Sequence, residues 1–114
     1  MRIEIFEDIQ CWQKSKALTV DLFSIFKKNK DYAFRDQIQR AAVSIMNNIS
    51  EGFERNTNKE FRQFLFIAKG SCGEVRSMLY LAKDLTYISE SQFDDLCKRT
   101  LEISKMLSGF IKTL

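Results

Sequence analysis

The fold of this chain is decided by the stretch Arg40-Ala-Ala-Val-Ser44-Ile-Met-Asn47-Asn48-Ile-Ser-Glu51-Gly52-Phe-Glu-Arg55, in which two patterns run at helical spacing. Apolar residues recur at Ala42, Ile45 and Ile49, three or four positions apart, as on the buried face of a helix. Polar residues recur at the same spacing along a second line, offset by about 110°. The stretch therefore predicts a helix with one face in a core and a polar face that needs partners.

Polar interruptions set the helix boundaries in the first half of the chain. The first predicted helix runs from about Glu7 to Lys28 and ends in the polar stretch 27–31. The second starts near Tyr32 and ends around Asn56, so that it contains the stretch quoted above.

Capping patterns mark the two helices of the second half. Thr57-Asn-Lys-Glu60 and Ser89-Glu-Ser-Gln92 are capping-box patterns, in which the first and fourth side chains each satisfy a backbone amide at a helix start. The first pattern opens a third helix that reaches about Leu85, and the second opens a fourth that lasts to the C-terminus. Gly70 and Gly73 leave a break within the third helix as the alternative.

Short connections between helices of about 20 to 28 residues place neighbouring helices antiparallel. We expect an all-α, up-down-up-down antiparallel four-helix bundle, formed by residues 1–114 as a single domain. The core positions of the last three helices are predicted to be Phe34, Ile38, Ala42, Ile45 and Ile49; Phe61, Phe64, Leu65, Ala68, Cys72, Val75, Leu79 and Ala82; and Phe93, Leu96, Ile103, Leu107, Phe110 and Leu114.

The composition is that of an ordinary globular protein, with 45% hydrophobic and 29% charged residues. There are no prolines and only four glycines, which favours long uninterrupted helices. No apolar run approaches the roughly 20 residues that a bilayer span requires. Acids at Glu4, Glu7 and Asp8 stand where a secretory signal would be apolar, so we expect a cytoplasmic protein with no membrane partner.

The residue types that catalysis and metal binding need are scarce. The sequence has no histidine, the commonest general base and metal ligand. Glu51-Gly-Phe-Glu54 supplies carboxylates without the Glu-x-x-His pairs of di-metal bundles, and neither Ser44 nor Ser71 has a visible base. We therefore expect no enzyme activity, no metal and no cofactor. The cysteines at 11, 72 and 97 have no metal-type spacing and are expected to be small core side chains.

The first helix carries two apolar stripes where a bundle helix normally needs one. Cys11, Leu18, Leu22 and Ile25 form the first, and the second is rotated from it by roughly a third of a turn or more. The surplus indicates either a wide buried face or, as we favour, a surface that covers another subunit. Together with two residues off the core stripe of the second helix, the candidate oligomer interface comprises Ile5, Ile9, Trp12, Val20, Phe23, Val43 and Met46.

The polar line of the second helix comprises Gln37, Arg40, Ser44, Asn48, Glu51 and Arg55. Residues three or four apart on it can bond each other, Glu51 with Arg55 and Ser44 with Asn48 or Arg40. Two interpretations stay open: a polar network between helices or subunits that fixes their register, and a cluster that reads a ligand.

The third helix contributes an acid that also needs a polar partner. Glu74 has apolar or small vertical neighbours, which predicts partial burial and hence a partner such as Arg40, Arg55 or Asn48. Gly70 and Ser71 would let the second and third helices approach closely.

Basic residues cluster at both ends of the predicted bundle. Lys27, Lys28 and Lys30 lie at one end, and Arg55, Lys59 and Arg62 lie near the other. A net charge of +3 permits nucleic-acid binding without requiring it. If these groups were repeated around a ring they could hold phosphates, with contacts to the backbone and little sequence specificity; otherwise they are solvated helix ends.

Four motifs that span most of the chain carry a family resemblance. They are Phe6-x-Asp8-Ile9-x-x-Trp12, then Gln39-Arg40-Ala41-Ala42-x-Ser44-Ile45-x-x-Asn48-Ile49-x-Glu51-Gly52-x-x-Arg55, then Phe64-Leu65-x-x-Ala68-x-Gly70-Ser71-x-x-Glu74, followed by Ala82-x-x-Leu85-x-Tyr87-Ile88 at the last turn. The chain resembles the four helix bundle protein family, also called the 23S rRNA intervening-sequence protein or S23-type family. Ser50 departs from the pattern, which usually has alanine, but serine fits the same small slot.

The resemblance implies a left-handed up-down bundle that assembles as a homopentamer in the bacterial cytoplasm. Family members are encoded within intervening sequences of ribosomal RNA genes, and a related accessory protein of retroelements partners a reverse transcriptase and nucleic acid. The family offers no catalytic residue to carry over. Its polar signature falls on Arg40, Ser44, Asn48, Glu51, Arg55, Ser71 and Glu74.

The function expected from the sequence is therefore non-catalytic. We expect a homo-oligomer that binds RNA or DNA through a basic surface or assists a nucleic-acid enzyme such as a reverse transcriptase. The competing hypothesis is a structural or protein-interaction ring that binds no nucleic acid.

Overall fold

Four α-helices account for most of residues 2–114, the part of the chain that the computed structural model describes. They are α1 (Gln10–Phe26), α2 (Tyr32–Phe53), α3 (Asn58–Asp84) and α4 (Glu90–Lys112). Each helix packs on the next in sequence and α1 also packs on α4. This closes the predicted all-α four-helix bundle. At about 1.5 Å per residue the 27-residue α3 is about 40 Å long, close to the 43 Å long axis of the molecule, and it has no break at Gly70 or Gly73.

Side-chain caps start three of the four helices. The carboxylate of Asp31 accepts from the Phe34 amide at 3.2 Å, and the hydroxyl of Ser89 accepts from the Gln92 amide at 3.0 Å. The side-chain oxygen of Gln92 in turn accepts a hydrogen bond from the Ser89 amide, which completes the predicted capping box. At α3 the box is only half formed, because Glu60 accepts from the Thr57 hydroxyl at 3.1 Å and not from the Thr57 amide.

The start of the first helix differs from the prediction. Phe6–Asp8 form a 3-10 turn, and α1 begins only at Gln10 because Ile9 is in extended conformation. That bend turns the Ile9 side chain into the core, where it is 1% exposed. Ile9 was predicted to lie in an oligomer interface, and that prediction is wrong since the side chain is covered by its own chain.

The predicted core stripes are confirmed, with exceptions at one end of the bundle. All five positions of α2 are buried, whereas Phe64, Phe110 and Leu114 are only half-buried. The side chains that lie fully inside and have the largest volumes are Ile9, Leu18, Leu22, Phe26, Ile38, Ile45, Ile49, Leu65, Leu79, Leu96, Ile103 and Leu107.

A close approach between α2 and α3 is made at Gly52. A Cβ atom on Gly52 would lie 2.6 Å from the Cβ of Phe64 and 3.0 Å from the Cδ1 of Phe61. Gly70 was expected to provide this contact, but it is exposed and a Cβ there meets no atom within 4 Å. The residue that lets the helices meet is therefore the one at the end of α2, where the chain turns sharply into α3.

A polar and aromatic contact ties the two connections at the opposite end. The Tyr87 hydroxyl donates to the Asp31 carboxylate at 2.6 Å, and the Tyr87 ring packs edge-on against Phe34 with centroids 5.2 Å apart. Tyr87 follows Thr86, whose φ of 62° ends α3 in the left-handed region that normally favours glycine. The amides of Thr86 and Tyr87 bond to the carbonyls of Lys83 and Ala82, which satisfies the helix end.

Two ion pairs cross the side of the bundle where α1 meets α4. Lys14 lies 2.9 Å from Glu102, and Arg99 lies 2.7 Å from Asp21. Their side chains are partly or largely exposed, so each pair adds little to the free energy of folding. Burial of the core side chains of both helices stabilises the packing of α1 against α4.

Substitution of Gly52 by alanine tests the close approach. We expect Gly52→Ala to lower the free energy of unfolding by about 1 to 3 kcal/mol, because the new methyl group meets a Cβ that cannot move without its backbone. Gly70→Ala is the matched control and should raise stability by about 0.5 to 1 kcal/mol, since the site is open and helical. Urea denaturation measures both. Equal effects of the two variants would contradict the assignment.

Replacement of Tyr87 by phenylalanine tests the contact between the connections. The hydrogen bond from Tyr87 lowers the pKa of Asp31, and the same bond raises the pKa of Tyr87. A lowered carboxylate pKa stabilises the fold above about pH 4 and the gain is lost as the pH falls through that range; a raised tyrosine pKa causes loss of stability above about pH 10.

The melting temperature of Tyr87→Phe should therefore lie below that of the wild type at pH 7, and the difference should shrink toward pH 3 and again above pH 10. Tyr32→Phe is the control, because the Tyr32 hydroxyl is exposed and should leave the profile unchanged. A constant difference between Tyr87→Phe and the wild type at all pH values would contradict the assigned bond.

Candidate functional site

A polar seam joins the middle of α2 to the middle of α3. The hydroxyls of Ser44 and Ser71 lie 2.9 Å apart. The Asn48 side-chain amide donates to the Ser44 carbonyl at 2.8 Å and to its hydroxyl at 3.0 Å. All three residues are half-buried, so their mutual bonds replace the water that packing removes. No general base lies among these partners, and the two hydroxyls link α2 directly to α3.

Glu74 departs from the expectation of burial. Its side chain is exposed and accepts a 3.4 Å hydrogen bond from Gln37, so the predicted partners Arg40, Arg55 and Asn48 are wrong. The reason lies in the rotation of α3. Ile67 and Leu81 are two of the vertical neighbours of Glu74 from which burial was predicted, and their own side chains are 52% and 47% exposed. Arg40 is exposed as well.

At the α2–α3 connection the seam ends in charged groups that neutralise one another. Arg55 lies 3.2 Å from Glu51 and 3.9 Å from Glu60, and its guanidinium group stacks 4.8 Å above the Phe64 ring. The predicted bond between Glu51 and Arg55 is thus confirmed. Arg62 donates to the Leu114 carbonyl oxygen at 2.7 Å. Two of the three basic groups predicted at this end are already engaged.

The three lysines at the other end of the bundle are not engaged in this way. Lys27, Lys28 and Lys30 are exposed, and none takes part in an ion pair within residues 2–114. They lie in the short connection between α1 and α2, where the chain has few side chains to place against them. The cations at this end of the bundle are therefore available to an external anion.

A groove between α1 and α2 adjoins these lysines. It has a volume of about 430 Å³ and is lined by Phe23, Ser24, Lys27, Arg35 and Gln39. Arg35 bonds Asp36 at 3.1 Å and stacks 4.7 Å from the centre of the Tyr32 ring. Sequence reasoning missed Arg35 and Tyr32. The available signal was an aromatic residue and an arginine within five positions of the lysine cluster.

The candidate oligomer interface is in part an exposed apolar surface. Val20 is 59% exposed, Phe23 42% and Ile5 50%, whereas Trp12, Val43 and Met46 are half-buried against the bundle. Further exposed apolar side chains that the periodicity did not single out lie on α3, namely Phe66, Ile67, Tyr80 and Leu81.

The cysteines lie in the core as predicted. Burial raises the pKa of the Cys11 and Cys72 thiols to about 11, and burial also raises the pKa of Cys97. A raised thiol pKa leaves little thiolate at neutral pH, so these side chains are poor nucleophiles.

Two further features concern residues 2–114 as a whole. No three cysteine or carboxylate side chains of that range converge where they could hold a metal ion. None of its helices combines the length and hydropathy that a membrane crossing requires.

Comparison with solved structures finds a similar fold. A protein of unknown function from the S23 ribosomal protein family of Bacteroides thetaiotaomicron superposes with a TM-score of 0.84 at 26% sequence identity. The superposition covers 90% of this chain and 98% of the other.

Comparison with curated sequences finds a partial relative. A cysteine–tRNA ligase from Mycoplasmopsis pulmonis is 24% identical over 93 residues, which is 82% of this chain. The chain spans only 16% of the length of that ligase.

The family assignment rests on the chain as a whole. Residues 7–109 match the 23S rRNA-intervening sequence protein family. This range contains the seam, the groove and all four helices except the last residues of α4. This protein belongs to the 23S rRNA-intervening sequence protein family.

Proposed function

We propose that this protein is a non-catalytic, cytoplasmic homo-oligomer that binds RNA or DNA through the phosphate backbone at the α1–α2 end of the bundle. The observation that carries the proposal is the state of Lys27, Lys28 and Lys30, which are exposed and form no ion pair within residues 2–114. Release of counterions from the nucleic acid would drive binding. Arg35 stands beside them in the adjoining groove.

The basic residues at the α2–α3 end of the bundle are expected to contribute less to binding. Arg55 is held by two carboxylates and Arg62 by a backbone carbonyl, so a phosphate would have to displace these partners. Lys59 is exposed and adds one available cation. These observations support a contact surface at the α1–α2 end, with Lys59 as a secondary contact.

Self-association would multiply this basic surface. The exposed Val20 and the half-buried Trp12 line one surface groove on α1, which a second copy could cover together with the exposed Ile5. Five copies, as the family resemblance implies, would place five lysine clusters on one assembly. Weak contacts of a few phosphates each would then add up.

A role as an accessory to a nucleic-acid enzyme is part of the same proposal. The relative from Mycoplasmopsis pulmonis is named for a reaction on tRNA, and most of this chain is similar to a small part of it. A bundle of this kind could hold RNA for an enzyme, whether attached to it or as a separate partner such as a reverse transcriptase.

The second candidate function is a protein-interaction scaffold without nucleic acid. The exposed apolar side chains on α3, with Phe66 and Ile67 among them, favour it because they offer a surface for another protein. The binding experiment below separates the two.

Removal of the lysine charges tests nucleic-acid binding. We expect Lys27→Gln/Lys28→Gln/Lys30→Gln to bind structured RNA more weakly than the wild type, with a dependence of log K on log salt that is shallower by about 2. Lys69→Gln/Lys98→Gln/Lys105→Gln removes the same charge from exposed positions on α3 and α4 and should change neither. Fluorescence anisotropy over a salt series measures both. No affinity of the wild type at low ionic strength would rule out this function.

Mass in solution tests the assembly. We expect light scattering to give about five times the chain mass of 13.4 kDa. Val20→Lys should reduce it, because a charge at a covered apolar site is costly, whereas Leu101→Lys on α4 should not. A monomer for the wild type would contradict the interface.

A further inference from the structure

We infer that the groove between α1 and α2 takes an unpaired nucleic-acid strand, with its bases on the Phe23 and Tyr32 rings and its phosphates on the surrounding cations. This rests on the proposed function and deepens it by naming the class of ligand. The shared chemistry is an unstacked base next to a phosphodiester, which single-stranded RNA and single-stranded DNA both provide.

The aromatic rings are the first observation. Phe23 is 42% exposed although it lies in a helix that has a core stripe of its own, and Tyr32 is 58% exposed at the first residue of α2. Leaving these rings in water costs free energy that a stacked base would recover. Stacking of bases on aromatic side chains is the usual device of proteins that hold single strands.

The cations around the rings are the second observation. The groove is lined by Lys27 and Arg35 without a carboxylate, and Phe23 lies in the same lining. The Arg35 guanidinium covers one face of the Tyr32 ring at 4.7 Å, which links this ring to the groove. A base on Phe23 would therefore have a cation close enough to meet the adjoining phosphate.

The nearby acids do not cancel this charge. Asp31 accepts hydrogen bonds from the Phe34 amide and the Tyr87 hydroxyl and keeps its negative charge. The segment 27–36 nevertheless holds four cationic side chains (Lys27, Lys28, Lys30 and Arg35) against the two carboxylates of Asp31 and Asp36. Asp36 pairs with Arg35 at 3.1 Å, so a phosphate at Arg35 would have to displace this carboxylate, as at Arg55. Lys27 is the cation of the groove lining that takes part in no ion pair within residues 2–114.

The shape of the site favours an unpaired strand over a duplex. A duplex presents phosphates and groove edges while its bases stay stacked inside, so exposed rings would gain nothing from it. The open groove between the two helices offers about 430 Å³ of space, which is room for an organic group of the size of a base. An extruded base fits that description, and the flat side of a duplex does not.

Substitution of the rings tests the inference in the full-length protein. Anisotropy is measured with labelled oligouridylate, oligothymidylate and a perfectly paired RNA duplex. The variants are Phe23→Leu and Tyr32→Leu, which keep an apolar side chain but remove the ring. Phe66→Leu is the matched control, since Phe66 is an exposed aromatic residue on α3 outside the groove.

We expect the wild type to bind the single strands more tightly than the duplex. Each ring variant should weaken single-strand binding by about 5- to 100-fold and leave duplex binding and the salt dependence unchanged. Phe66→Leu should change none of these. Ultraviolet cross-linking of oligouridylate should map to Phe23 or Tyr32. Preference for oligouridylate over oligothymidylate assigns RNA as the ligand, and the reverse assigns DNA.

Other outcomes overturn the inference in distinguishable ways. Equal binding of duplex and single strands, or ring variants that behave like Phe66→Leu, would reject the stacking site while the phosphate contacts of the proposed function stand. A Phe23→Leu variant that loses binding together with its assembly mass would assign Phe23 to the oligomer interface and likewise reject stacking. Absence of binding to all three probes would reject the proposed function itself.

Discussion

The contact between α2 and α3 at Gly52 is the constraint on which the remaining structure depends. A residue without a side chain brings the backbone of α2 against Phe61 and Phe64, so that the chain can reverse within four residues. With that end closed, the two helices run alongside each other long enough for the hydroxyls of Ser44 and Ser71 to meet at 2.9 Å. The buried apolar faces supply most of the stabilisation, and the hydroxyl pair selects the register.

The polar seam and the available cations serve different purposes. Seam residues have their partners inside the chain, and a group whose bonds are already made has little to offer a ligand. The lysines at 27, 28 and 30 have no such partner among residues 2–114, because a short connection places them beyond the ends of the helices. The α1–α2 end therefore holds the cations that a ligand could reach, although the family signature lies elsewhere.

Particular residues show where prediction from the sequence succeeded and failed. The capping box at Ser89, the side-chain cap at Thr57 and the core of α2 were predicted correctly, because they depend on spacing along a single segment; only the return bond of the box at Thr57 is missing. Ile9 and Glu74 were misplaced: a bend ahead of α1 turns Ile9 inward, and the rotation of α3 leaves Glu74 outside. In the candidate site the lysines were identified in advance, but Arg35 and Tyr32 were not, because only the packing of α1 against α2 forms the groove.

The sequence by itself determined the four helices, their caps, most of the core and the family to which the chain belongs. The helices, caps and core positions follow from hydrogen bonding and amphipathic spacing between residues that lie within about one helical turn of each other. The tertiary structure decided which glycine lets two helices touch, that Glu74 is exposed and which cations remain available. These depend on the rotation of one helix against another, and residues distant in sequence set that rotation through their packing.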